Sequence, residues 1–106
     1  MSTENLFGRI STETLAIKFT EKNYTAWKFQ FKMFLKGKKL WGHIDGSSPA
    51  PANDKGRSQW DTKDARVISW ILGSIEAHMV NNLRSFGTAK EMWDYLKRIY
   101  HQDNTA

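Results

Sequence analysis

Three histidines, a Gly-Lys-Lys triplet and a stripe of lysines are the residues here with chemistry to offer. His43, His78 and His101 lie in three separate segments. A zinc site needs ligands at close spacing, as in His-x-x-x-His, or a clustered carboxylate pair. Neither pattern occurs, so no metal site is expected. Gly37-Lys38-Lys39 carries the lysine of a phosphate loop but lacks the earlier glycine that lets backbone N–H groups wrap a phosphate. Ser and Asp are plentiful, yet no Gly-x-Ser-x-Gly elbow presents a nucleophile. The chain has no cysteine, which removes thiolate ligands, Cys nucleophiles and disulfides and favours a cytoplasmic setting. The expectation is a non-enzyme, with no catalytic residue, no cofactor and no small-molecule substrate.

What remains is charge and apolar surface. The net charge is +5. Residues 24–57 hold seven bases and two acids, whereas the segments on either side are balanced. The whole excess therefore sits beside a dense aromatic run. Lys28, Lys32, Lys36, Lys38 and Lys39 are candidates for phosphate contact. The bland alternative is a solvated lysine face on an amphipathic helix.

The elements that position these residues read as helices. With 106 residues, 40% of them hydrophobic, and five tryptophans, one small domain with a real core is expected. No apolar run reaches membrane-spanning length, so no membrane partner is expected. Residues 1–16 read as a flexible arm, with a short extended piece near residues 16–20. The first helix should run from Tyr24 to Lys36, with Asn23 as N-cap and Gly37 as its stop. Residues 47–57 contain both prolines and read as an internal loop. A second long helix should start near Ser58, with Asp61 completing a weak capping box, and bend near Gly73. A short third piece covers Met79 to Leu83. Thr88-Ala89-Lys90-Glu91 is a full capping box that opens the last helix. Residues 103–106 should fray. The fold class is all-α, a bundle of four to five helices over residues 17–102.

Rotation of about 100° per residue sorts the faces. On the first helix, Trp27, Phe31 and Leu35 share a core face with Tyr24 and Phe34. The lysines at 28, 32 and 36 form a separate stripe. Phe29 and Met33 lie beyond it, so this helix is apolar on two sides. Such a helix either packs centrally in its own bundle or offers its second face to another chain. On the second long helix, Trp60, Ile68, Ile71 and Ile75 fall on the core side, with Asp64 projecting into it. Trp70 lies off that stripe. It is either a partner-binding anchor or packs on the arm or the 47–57 loop. On the last helix, Trp93, Leu96 and Tyr100 join Ala89, Met92 and Ile99 in one stripe. Phe29, Met33 and Trp70 are therefore the candidates for self-association.

One ordered set of residues carries a resemblance. It runs Phe19-x-x-x-Asn23-Tyr24-x-x-Trp27, then Leu35-x-x-x-Lys39-Leu40-Trp41 and Asp45-Gly46. It continues with Trp60-x-x-x-Asp64-Ala65 and ends in Thr88-Ala89-Lys90-Glu91-Met92-Trp93-x-x-Leu96-x-x-x-Tyr100. This pattern resembles the N-terminal Gag region of copia-type retrotransposons, most like the plant members. The resemblance covers roughly residues 15–102. It implies a helical, capsid-like domain that self-associates in virus-like particles enclosing RNA. The family's Gag continues into a second helical domain and usually a Cys/His zinc knuckle. With no cysteine, this chain should be an excised N-terminal domain or a truncated, domesticated relative. The expected partner is the chain itself, with RNA as a weaker one. The rival readings are a nucleic-acid-binding module built on the 28–39 segment and a host protein-interaction adaptor derived from Gag.

Overall fold

The structure, a computed structural model, describes residues 18–101. The expected arm at 1–16 and the frayed end at 103–106 lie outside the described residues. Among the described residues five α-helices follow one another: α1 (Tyr24–Gly37), α2 (Gly42–Asp45), α3 (Asp54–Gly73), α4 (Ala77–Val80) and α5 (Ala89–Tyr100). A 3-10 turn, Asn81–Leu83, continues α4. Among the described residues the only β pairing is a single bridge between Phe19 and Ile75. Phe19 N–H donates to Ser74 O at 2.8 Å and Glu76 N–H donates to Phe19 O at 3.3 Å. This stitches the segment entering α1 to the end of α3.

Helix α1 begins where expected, but Asn23 does not cap it with its side chain. Its Oδ1 accepts from Thr20 N–H at 2.9 Å, and its Nδ2 donates to Lys18 O at 2.8 Å. Asn23 thus shapes the approach to the helix. The far end also differs from expectation. Gly37 is the last helical residue, but the left-handed position is taken two residues later by Lys39, at φ 61°. Leu40 N–H donates to Leu35 O at 2.9 Å and Lys39 N–H to Lys36 O at 3.0 Å. These are the paired bonds of a Schellman cap, with Leu40 and Leu35 both buried across it. A side chain in this conformation costs about 1–2 kcal/mol relative to glycine.

Helix α3 starts four residues earlier than expected. Asn53 is the N-cap, and its Oδ1 accepts from Gly56 N–H at 2.6 Å. The Ser58/Asp61 pair expected to open the helix lies inside it, where Asp61 pairs with Arg57 at 3.1 Å. The internal loop is correspondingly shorter. Trp60 Nε1–H ties it down by donating to Ser48 O at 2.7 Å. Gly73 ends α3 rather than bending it. At α5 both halves of the capping box form: Thr88 Oγ1 accepts from Glu91 N–H, and Glu91 Oε1 accepts from Thr88 N–H, each at 3.2 Å.

The core is an aromatic column. Trp27 is fully buried and stacks between neighbours, with centroids 4.9 Å from Phe19, 5.2 Å from Phe31 and 5.3 Å from Trp93. Its indole N–H donates to Ser74 Oγ at 3.0 Å. Leu35, Ile71, Ile75 and Leu96 close the same core. Three residues expected in it are only half-buried: Ile68 and Tyr100 lie at its margin, and Trp60 packs outside it, on the His43 ring. Ile99 continues the α5 stripe in sequence but is 45% exposed.

Tyr24 is buried, and its hydroxyl lacks a hydrogen-bond partner among the described residues. Burial, reinforced by the charge of Asp94, pushes the phenol up to about 12. The folded chain therefore keeps a proton that the unfolded chain releases near pH 10. This contribution to stability is complete below pH 10 and is lost as pH rises toward about 12. Tyr24→Phe should leave stability at pH 7 unchanged or raised by up to about 1 kcal/mol, because it removes a buried unpaired hydroxyl. It should also remove that part of the alkaline loss. Urea unfolding at pH 7 and across pH 9–12 measures both.

Candidate functional site

Helix α1 has two apolar faces because it places aromatic residues at two separate sets of helical spacings. The Trp27, Phe31, Leu35 face is sealed in the core. The second face is not covered by any described element: Phe29 is 63% exposed and Met33 is 44% exposed. Four residues apart, they stand one turn from each other on the same side of the helix. Of the two positions open to a two-faced helix, α1 therefore takes the outer one among the described residues. Two large apolar side chains in adjacent turns form a small greasy patch with a basic border.

That border is not a uniform row of solvated ammonium groups. Lys28 lies 5.8 Å from the Tyr24 ring centroid and Lys32 lies 5.5 Å from the Trp41 ring. Lys38 sits 5.5 Å from the Phe34 ring and 5.8 Å from Trp70. These lysines lay their stems and charges along aromatic faces. Lys36 and Lys39 are exposed, and Lys39 stands apart at the left-handed turn.

Among the described residues Trp70 packs against the edge of the core. It meets Phe34 edge-on, centroids 4.8 Å apart and planes at 90°, and is half-buried there. It belongs to the contact between α1 and α3, with part of its ring left at the surface.

The structure also brings together residues that sequence spacing kept apart. Asp64 and His43 form a buried polar pair, 3% and 5% exposed. Asp64 Oδ1 lies 2.8 Å from His43 Nδ1, and its Oδ2 accepts from Ala89 N–H at 3.0 Å. One carboxylate thus fastens α2 to α3 and to the first turn of α5. Asp64 projects into the core side of α3 as its spacing predicts, and it compensates the N-terminus of a second helix, α5, through the Ala89 N–H. The signal available in the sequence was an acid on the apolar side of an amphipathic helix. Its partners, 21 and 25 residues away, leave no local trace.

A second group converges at the Phe19–Ile75 bridge. His78 Nε2 meets a Glu21 carboxylate oxygen, and its Nδ1 lies 3.8 Å from Glu76 Oε1. Their ligand atoms all lie within 4.8 Å of one another, close enough for a metal ion to be considered. All three side chains are at least 40% exposed, and His–carboxylate pairing alone accounts for the contacts. No described helix is long and apolar enough to cross a membrane.

Comparison with known proteins places the chain in a family. Residues 31–106 match the family described as gag-polypeptide of LTR copia-type. The chain is 30% identical over 93 residues to the retrovirus-related Pol polyprotein from transposon RE2 of Arabidopsis thaliana, covering 78% of this chain. It is 28% identical over 93 residues to the corresponding polyprotein from transposon RE1 of the same plant, again covering 78% of this chain. The chain spans 6% of the length of each of these curated relatives. No solved structure matches it. The match takes in the second half of α1 and every later helix, with the Asp64 junction among them, and the chain belongs to the copia-type Gag family.

Proposed function

We propose that the chain is a structural module of a copia-type Gag, working by self-association in particle assembly and not by catalysis. The observation that carries this reading is the uncovered Phe29–Met33 face on a domain whose family is Gag. An apolar pair of this kind costs solubility in a lone monomer and gains free energy when a second chain desolvates it. Trp70 is the third anchor candidate, with only the exposed part of its ring available. The basic border suits a partner face carrying acids. It also suits RNA, the second expected partner, though the contacts of Lys28, Lys32 and Lys38 with aromatic rings already give those side chains a place in the fold.

Phe29→Ser and Met33→Ser test the reading. Neither side chain supports the core, so each variant should stay within about 0.5 kcal/mol of the parent in urea unfolding. Each should weaken self-association about tenfold or more in sedimentation equilibrium, the loss expected at an interface anchor. Variants that associate as the parent does would remove the α1 face from the proposal. A parent that binds an unrelated protein through this face, without self-association, would favour the adaptor reading.

A further inference from the structure

A cleft opens where the α1–α2 turn meets the start of α3. It encloses about 250 Å³. Lys39 reaches it from the left-handed turn, His43 from α2, Gly56 from the first turn of α3 and Lys63 from further along that helix. Ser48 and Gln59 add polar atoms, and no acidic side chain lines it. His43 is nine-tenths buried or more, with Nδ1 turned to Asp64. Its Nε2 has no hydrogen-bond partner among the described residues. The Trp60 ring stacks on the imidazole, centroids 4.7 Å apart and planes at 19°, and holds it in one orientation.

A buried imidazole fixed on two sides, with one nitrogen unmet and two lysines on the same walls, is built for an anion that can also hydrogen-bond. The positive end of the α3 dipole adds to the field. We infer that this cleft is a binding site for a phosphate group, held by Lys39, Lys63 and Nε2 of His43. Phosphate suits either form of the ring. Its P–OH donates to a neutral Nε2, and its oxygens accept from a protonated one. Asp64 fixes the tautomer from behind, as a carboxylate does behind a working histidine. Lys39 occupies a left-handed position that glycine fills most readily, which places an ammonium at the cleft where a small residue suits the backbone better. The inference does not depend on self-association.

Amide and indole NMR shifts of the full chain test it, with ionic strength held constant by sodium chloride. One arm titrates inorganic phosphate and the other a short oligothymidylate. Saturable shifts are expected at the Trp60 indole N–H and around Ser48 and Gly56. Lys39→Gln with Lys63→Gln should weaken binding about tenfold or more. Lys22→Gln with Arg84→Gln, both exposed and away from the cleft, removes the same charge elsewhere and should leave binding within about twofold. Lys63 is exposed, so Lys63→Gln alone carries the test if the double variant misfolds. An oligothymidylate that shifts the same resonances and competes with phosphate identifies a nucleic-acid backbone phosphate as the ligand. Response to inorganic phosphate alone identifies a free phosphate. Shifts reproduced by chloride alone, no shift in either arm, or equal binding by the Lys39/Lys63 variant would overturn the assignment.

Discussion

Replacing Asp64 with Ala is expected to cost about 3–5 kcal/mol of stability, the range found when one partner of a buried polar pair is removed. The carboxylate meets two groups, His43 Nδ1 at 2.8 Å and Ala89 N–H at 3.0 Å. Both are buried, and each loses its partner when the acid is gone. Each buried polar group left unpaired costs about 1–3 kcal/mol. A domain of this size has roughly 5–15 kcal/mol in total. The loss should lower Tm by at least about 12 °C. Asp64→Asn separates the two bonds. Its amide oxygen can accept from Ala89 N–H while its NH2 donates to the other tautomer of His43. That variant should lose only about 1–2 kcal/mol. Thermal unfolding of both variants at pH 7 checks the pair. An Asp64→Ala chain within 1 kcal/mol of the parent would mean that the three-helix junction contributes little.

Trp27→Ala is the other large effect, with an expected loss of about 3–5 kcal/mol. The ring is fully buried and stacks within 5.3 Å of Phe19, Phe31 and Trp93. Truncation empties the centre of the column and separates α1 from α5. It also takes the indole donor from Ser74 Oγ, which still donates to Ile71 O at 3.1 Å. Trp27→Phe retains a stacking ring and loses the indole N–H and some volume, so about 1–2 kcal/mol is expected. Urea unfolding followed by near-UV circular dichroism measures the loss, because the stacked rings supply most of the chiral aromatic signal. A Trp27→Ala chain with parent-like stability would place the core elsewhere.

Local signals were legible in the sequence and long-range ones were not. Helix α5 was readable end to end because its cap is a four-residue pattern and its stripe repeats on one face. The cap of α3 was hidden: Asn53 lies in a run of Ser, Pro and Ala that looks like loop, and Gly56 just behind it looks like more of the same. At the end of α1, glycine drew attention to position 37, while the packing of Leu40 on Leu35 placed the reversal at Lys39. Periodicity identified Phe29 and Met33 as a second apolar face. It did not determine whether that face was covered, because helical spacing says nothing about what stands opposite. Ile99 shows the same limit, since its stripe outruns the elements that cover the rest of it. The His43–Asp64–Ala89 junction and the phosphate cleft depend on three segments meeting, and only the fold brings them together.

A Gag assembly module of this kind associates with itself. Light scattering after size exclusion, over a series of protein concentrations, tests it most directly. The proposal predicts a mass that rises above the 12.3 kDa monomer toward discrete multiples as concentration increases. A mass of 12.3 kDa at every concentration would contradict it.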